Sequence, residues 1–499
     1  MATTTTKTQT YQMFIGGEWL DAASGETFES MNPYTGQSWA LIPDGQAEDV
    51  DRAVQAAKKA MQDPAWKNMA PSLRGRLIWK LGDLIAENAE HLAQVETRDN
   101  GKLIREMLGQ CKALPSYYYY YAGLADKIQG DTIPLEKTTV FNYTLKEPIG
   151  VVGILTPWNS PLLLLSFSLA AALAAGNAVV VKPSENTSAS ALEFAKLIQE
   201  AGFPPGVFNV VTGFGLTAGV AMSSHPGIDK LAVTGGRDTA KAVARLAAEN
   251  LTPLLLELGG KSPNIVFEDA VIPNAVNGCI AGIFAASGQT CIAGSRLFLH
   301  EKMHDEFMER LVARTKKIKM GDPSAMDSEM GPMATTAQLE KVQGFVDSAL
   351  NDGAELIYGG QRPDSPELSG GWFYMPTIFD GVSNDTYLAQ EEVFGPVLGV
   401  QKFSDEEELI ARANDSLYGL AAGIWTKDVQ RAHRVARELQ AGTVWINMYR
   451  ALSYASPFGG YKGSGYGREL GMQAIDEFIQ TKSVWVELAD TTPDPFVLR

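Results

Sequence analysis

From about residue 150 onward the apolar residues fall in short continuous runs, each followed by a stretch with helical spacing. GVVGIL, NAVVVKP, VFNVV, KLAVTGG and PLLLELGG read as strands buried on both faces, separated by helices near 162–175, 188–201 and 238–249 and a short one after residue 213. Such alternation predicts a parallel sheet covered on both sides, with right-handed crossovers. A second series follows in NIVFE, SRLFLH, PTIFDGV, GPVLGVQKF, AAGIWT and GTVWINM, with a helix running to about 287 and another through FMERLVARTKKI. The predicted fold class is α/β, with two such units in tandem. Upstream, helical segments at about 47–61 and 71–125 precede a hairpin, GDTIPLEKTTVFNYTLKEP, and TKSVWVEL near the end reads as another strand. A hairpin and a strand projecting from a domain supply a sheet edge for a partner subunit.

One segment tests whether the chain belongs in water, because no charged residue occurs between Glu147 and Lys182. A membrane span needs about 20 consecutive apolar residues, whereas Gly153, Pro157, Asn159 and Pro161 break the first half and Gly176 and Asn177 the end. LLLLSFSLAAALAA therefore reads as a buried helix between buried strands. Composition agrees: 499 residues, 45% hydrophobic and 20% charged, make an ordinary globular balance, too long for a single core. The net charge of -16 disfavours nucleic acid and anionic membranes as partners. Cys111, Cys279 and Cys291 are too few for a disulfide framework and suit a reducing cytoplasm. The polar start, MATTTTKTQTYQ, reads as a loose tail without a signal core.

Two motifs resemble chemistry without carrying it. HEKMH, His300 to His304, fits a zinc hydrolase pattern, which needs both histidines one turn apart on one helix; here His300 ends a strand and the helix starts after it. TGFGLTAG, residues 212–219, follows a strand like a dinucleotide fingerprint, but its third glycine comes one residue late. No metal site is expected.

The tetrapeptide CIAG occurs at Cys279 and again at Cys291, and only context separates the copies. Val276, Cys279, Ile280, Ile283 and Phe284 share a helical stripe, so Cys279 packs as a small hydrophobe. Cys291 follows Gly288, where the helix should stop, and sits among small residues with free backbone N–H groups that favour a thiolate. None of the five histidines lies in an apolar or glycine-rich setting suited to a cysteine partner. Glu257, at the end of a leucine run, is the better candidate base, since partial desolvation raises its pKa. Asn159 in TPWNSP is a neutral donor suited to an oxyanion.

Taken together, TPWNSP, VVVKPSE, LELGGKSPNIVF, GQTCIAGSR, EEVFGPV and SPFGGYKGSGYGRELG resemble the NAD(P)-dependent aldehyde dehydrogenase superfamily, in order and over essentially the whole chain. The resemblance implies two Rossmann-like parallel-sheet domains plus a small β oligomerisation element. Residues 1–128 and 148–256 would bind the dinucleotide, 257–468 would form the catalytic domain, and 129–147 with 469–499 would join subunits, as a homotetramer or a dimer. It implies that Cys291 attacks an aldehyde, that Asn159 and the Cys291 N–H hold the oxyanion, and that Glu257 activates water against the resulting thioester. Glu257 points to the hydrolytic branch over the CoA-acylating one.

The same resemblance assigns Lys182 and Glu185 to the adenosine ribose and Glu392 and Phe394 to the nicotinamide side. Thr156, Trp158, Gly215, Thr234, Gly235, Gly236 and Leu258 complete the implied cofactor site. A carboxylate at Glu185 accepts a ribose hydroxyl and repels a phosphate, so NAD is expected over NADP. Two positions depart from the family pattern. Gly236 and Arg237 stand where serine and threonine are usual, so Arg237 is expected to add charge beside the pyrophosphate, and Ser168 stands where many relatives carry lysine. By analogy the substrate channel would be lined by Tyr118, Leu163, Leu164, Phe167, Ile292, Tyr449, Leu452, Tyr454 and Phe458, with Arg450 the one anion anchor. That apolar set predicts aliphatic aldehydes of medium or longer chain, then aromatic aldehydes or semialdehydes.

Overall fold

Five parallel strands form the middle of an eight-stranded sheet in the computed structural model, which describes residues 9–491 and 494–496. The first eight residues of the expected loose tail lie outside the described residues. Across the sheet the order is Gly465–Tyr466, Leu254–Leu258, Lys230–Gly235, Val151–Thr156, Ala178–Pro183, Phe208–Val210, Met13–Ile15 and Glu18–Leu20. The chain reverses direction of growth between Val151–Thr156 and Lys230–Gly235, the doubly wound order whose crevice lies beyond the carboxyl ends of those strands. The antiparallel strands Gly465–Tyr466 and Met13–Ile15 flank the parallel block.

The second sheet has seven strands in the order Glu355–Tyr358, Thr377–Asp380, Val397–Phe403, Arg296–His300, Pro263–Val266, Ala421–Trp425 and Thr443–Ile446, all parallel but the first. This is the α/β architecture expected. A third, antiparallel sheet pairs Ile479–Glu487 with Val140–Pro148, residue for residue from Ile479–Pro148 to Glu487–Val140, and adds Thr132–Ile133. Its apolar side chains Phe141, Leu145, Trp485 and Val486 are exposed.

The helix Pro161–Ala175 is apolar all round, and every residue in it but Leu163 is buried. It stops at Gly176, whose φ of 93° is the left-handed cap that glycine adopts without strain. Among the described residues no helix is long and apolar enough to cross a membrane.

Several elements differ from the expectation. The segment 71–125 is two helices, Pro71–Asn100 and Ile104–Leu124, because Gly101 takes φ 74° and a side chain there would press on Pro33 and Pro332. The helix expected to reach about 287 ends at Ile283, followed by a tight turn at Ala285–Gly288. The helix Thr336–Asn351, capped by the Thr335 hydroxyl, was not predicted, nor were the short strands before residue 45. Runs of two or three residues are too short to show a period of two.

The pairing of Gly465–Tyr466 with Leu254–Leu258 ties the C-terminal part of the chain into the first sheet. Gly465 has φ 116°, and a Cβ there would overlap the Leu256 carbonyl. Gly465→Ala is expected to lower stability by about 1–3 kcal/mol from backbone strain alone, read as a shift in the urea midpoint; an unchanged midpoint would show that this strand carries no such constraint.

Candidate active site

A cleft of about 390 Å³ opens at the crevice that the strand order marks. Its floor is the carboxyl ends of three strands, at Leu155 and Thr156, at Val233 to Gly235, and at Glu257 and Leu258. All eleven residues assigned to the cofactor line it: Thr156, Trp158, Lys182, Glu185, Gly215, Thr234, Gly235, Gly236, Leu258, Glu392 and Phe394. Gly236 precedes the helix Arg237–Ala248, so the free N–H groups of that helix face the cleft. A Cβ built on Gly235 or Gly236 meets no protein atom within 4 Å, so backbone there is open to close approach. Such a surface suits a dinucleotide with its pyrophosphate on the helix N-terminus. Arg237 departs from expectation: its guanidinium lies over the Tyr418 ring at 5.2 Å and is not part of the lining.

Lys182, almost fully buried, donates to Glu185 Oε2 at 3.1 Å, which fixes both groups on one side. At the other end Glu392 accepts from Gly260 N at 3.0 Å, and burial pushes its carboxyl up to about 7. Phe394, held at φ 56°, meets Trp158 edge to face at 5.1 Å. Gln338 and Lys341 also line the cleft and were not foreseen, because no element was assigned to their segment.

Cys291 is presented by an unusual turn. Ala286, Ser287 and Gly288 all have positive φ, 54°, 53° and 71°. Three successive left-handed residues are costly for non-glycine positions, and the surroundings hold them there. Ala286 N donates to Glu106 Oε1 at 2.9 Å, Ser287 Oγ to the Gly331 carbonyl at 2.8 Å, and Gln289 Nε2 to the Pro332 carbonyl at 3.2 Å. Asn159 Nδ2 donates to the Gln289 carbonyl at 3.2 Å, leaving its second amide hydrogen free for a group bound at Cys291. Cys279 instead lies buried in the helix Ile272–Ile283, 3.4 Å from Asn264 Nδ2, and burial pushes its thiol far up.

Glu257 is buried, and neither of its carboxyl oxygens has a hydrogen-bond partner in the protein. Burial and the neighbouring Glu469 both raise its pKa well above the usual carboxylate range. Glu469 is itself buried and accepts from Ser168 Oγ at 2.5 Å, so the residue that replaces the usual lysine holds a carboxyl. A carboxylate formed in such surroundings is a strong base. Burial, helped by Glu392 and Glu257, pushes the Cys291 thiol up to about 12.

A second cleft, of about 460 Å³, approaches Cys291 and Asn159 from another side. Cys291, Asn159 and Leu164 line both clefts. Of the residues assigned to substrate, Leu163, Leu164, Phe167, Ile292, Leu452 and Phe458 line this cleft. Tyr118, Tyr449 and Tyr454 do not. Tyr118 turns into the core, its hydroxyl 2.9 Å from Ser166 Oγ, and Tyr117, one residue earlier and about 100° round the helix, lines the cleft instead, stacked on Phe167. Tyr449 fills a slot between Gly282, Gly294 and Gly423, and Tyr454 packs on Tyr117 and Tyr120. The lining also differs in polarity from the expectation. Lys102, Arg105, Glu106 and Gln110 join Arg450 in it, all but Arg450 unforeseen.

The histidines of HEKMH have separate partners. His300 Nδ1 accepts from Lys302 N at 3.3 Å, whereas His304 Nε2 faces Asp380 at 2.9 Å. Among the described residues no three His, Cys, Asp or Glu side chains are grouped to hold a metal ion.

A cysteine on a strained turn between two clefts, with a buried carboxyl and an amide donor beside it, is an arrangement for attack on a carbonyl with a dinucleotide alongside. The profile of the aldehyde dehydrogenase family matches residues 19–484, and the chain belongs to that family. It is 49% identical over 494 residues, 98% of this chain and all of the other, to the (Z)-2-((N-methylformamido)methylene)-5-hydroxybutyrolactone dehydrogenase of Acinetobacter baylyi. Among solved structures it resembles the NAD+ complex of aldehyde dehydrogenase from Bacillus cereus, at TM-score 0.94 and 46% identity over 96% of this chain and 97% of the other. Betaine aldehyde dehydrogenase from Staphylococcus aureus in complex with NAD+ superimposes at TM-score 0.96 and 39% identity over 98% and 96%.

The raised thiol has a measurable signature. In the chain without cofactor, alkylation of Cys291 by iodoacetamide should rise about tenfold per pH unit from about pH 7 to about pH 10, because only the thiolate reacts. A plateau below about pH 9 would contradict a thiol held in its neutral form by burial.

Proposed function

We propose that this chain oxidises an aldehyde to a carboxylic acid with NAD, by way of Cys291. The observation that carries the reading is the shared position of Cys291 and Asn159, which line both the dinucleotide cleft and the second cleft. In sum, an aldehyde, NAD+ and water give a carboxylate, NADH and two protons. NAD bound in the first cleft supplies the hydride acceptor. Cys291 adds to the aldehyde carbon, and the free Asn159 amide hydrogen and the Cys291 N–H stabilise the oxyanion. Oxidation leaves a thioester on Cys291, and Glu257 takes a proton from the water that cleaves it. The glycine-lined helix N-terminus, Lys182 with Glu185, and Glu392 supply the contacts for the dinucleotide.

The division of the chain follows from this reading. Residues 1–128 and 148–256 serve the dinucleotide and 257–468 the thiol, although Gly465–Tyr466 pairs into the first sheet. The segments 129–147 and 469–499, whose strands Val140–Pro148 and Ile479–Glu487 leave Phe141, Trp485 and Val486 exposed, form the surface for subunit association, in a homotetramer or dimer. Three free cysteines fit the reducing cytoplasm.

For the substrate, Leu163, Phe167, Ile292 and Phe458 support acceptance of an aliphatic chain, each buried CH₂ adding about 0.8 kcal/mol. The charged residues Lys102, Arg105 and Arg450 weigh against chain length alone as the selector. They also weigh against a permanently cationic substrate such as betaine aldehyde, which they would repel. The Acinetobacter relative is named for a 5-hydroxybutyrolactone, a ring form that opens to a chain with an aldehyde at one end and a carboxylate at the other.

Absorbance at 340 nm tests the reading. An aldehyde with NAD should give steady turnover that Cys291→Ala abolishes, whereas Glu257→Gln should keep a burst of about one NADH per site and lose most of the steady rate. Turnover that survives Cys291→Ala would overturn it. NAD should exceed NADP in kcat/KM by roughly tenfold or more, from Glu185 repelling the extra phosphate, and Glu185→Gln should narrow the gap; a wild-type preference for NADP would remove Glu185 from that role.

A further inference from the structure

The second cleft carries a charge opposite to that of the whole chain. The net charge is -16, yet the charged residues of the lining are Lys102, Arg105 and Arg450 against Glu106 alone. Local charge set against the mean field in a concave site focuses attraction on ligands of one sign.

Lys102 is the central observation. It stands between the helices Pro71–Asn100 and Ile104–Leu124, only 4% exposed, and among the described residues its ammonium donates only to Ser160 Oγ, at 2.9 Å. An ammonium has three donor hydrogens, so two remain for a group in the cleft. A buried cation without a counter-charge is costly, and here burial outweighs Glu106 and Glu96 and pulls the Lys102 pKa down to about 8. Glu106 makes no hydrogen bond or ion pair with it among the described residues: its Oε1 accepts from Ala286 N, which holds the cysteine turn, and its Oε2 has no hydrogen-bond partner in the protein. Arg105 stands exposed at the rim, and Arg450, held at φ 65°, donates one hydrogen bond to the Ala281 carbonyl and has others to give. Gln110, one turn along the same helix face from Glu106, adds an amide.

We propose that the aldehyde oxidised at Cys291 carries a distal carboxylate, held in the second cleft by Lys102, Arg105 and Arg450. The substrate class is a short aliphatic semialdehyde, its methylenes against Phe167 and Phe458 and its product a dicarboxylate. The proposal rests on the reading of Cys291 as the nucleophile in aldehyde oxidation.

The test compares aldehydes of matched skeleton: 4-oxobutanoate, its methyl ester, butanal and a quaternary-ammonium aldehyde. In the wild type kcat/KM for 4-oxobutanoate should exceed that for the ester and butanal by on the order of ten- to a hundredfold, with the cationic aldehyde poorest. Arg105→Gln and Arg450→Gln should each shrink the acid-to-ester ratio by about tenfold. The ratio within one variant is unaffected by loss of folded enzyme. An ester, butanal or cationic aldehyde as good as the acid, or a ratio that neither variant moves, overturns the proposal. If no aldehyde is turned over, the oxidation reading fails by itself, and calorimetry with succinate against monomethyl succinate then decides the carboxylate site. Succinate binding that Arg450→Gln weakens supports the site, and equal or no binding overturns it.

Discussion

Between the end of Leu254–Leu258 and the start of Pro263–Val266 the chain passes from one sheet to the other through Gly259 and Gly260, and neither position admits a side chain. A Cβ on Gly259 would overlap the Glu392 carboxylate, and one on Gly260 would lie 2.7 Å from the Cys291 carbonyl oxygen. The crossover therefore brings backbone directly against both. Glu257 lies on one side of it, the Cys291 carbonyl stands against it, and Glu392 accepts from its Gly260 N–H. Groups from three distant parts of the sequence meet there because the joint has no side chains to keep them apart.

Around that joint the ionisable groups are biased in one direction. Cys291, Glu257, Glu392 and Glu469 all have pKa values raised chiefly by burial, which favours their neutral forms. The left-handed turn at Ala286–Gly288 adds strain, held by hydrogen bonds that Ala286 N, Ser287 Oγ and Gln289 Nε2 donate to Glu106, Gly331 and Pro332.

The strands and their alternation were legible because parallel strands buried on both faces are continuous apolar runs, and those runs end where the cofactor cleft lies. Cys291 and Glu257 were legible from what flanks them: a glycine at a helix end in one case, leucines in the other. The tyrosine run was not, since five consecutive aromatic residues give a helix no phase, and Tyr118 was taken for the neighbour that faces the cleft. Lys102 and Arg105 were missed for a different reason. Gly101 breaks a segment read as one helix, and in an unbroken helix charged residues look like a solvated face. Tyr449 needed the packing of Gly282, Gly294 and Gly423, which lie far apart in sequence and leave no local mark.

The two clefts are built from different materials. The dinucleotide cleft is made largely of strand ends and crossovers, so much of its wall belongs to the sheets that carry the fold. Much of the polar wall of the second cleft is one face of the helix Ile104–Leu124 with the loops holding Lys102 and Arg450. On that face Arg105 reaches solvent, whereas Glu106 also accepts from Ala286 N and ties the wall to the cysteine turn. On the proposed reading, part of what meets the aldehyde is thus separable from the sheets: Arg105 and Gln110 can be exchanged on a single helix while Cys291, Glu257 and the strand ends of the first cleft stay as they are.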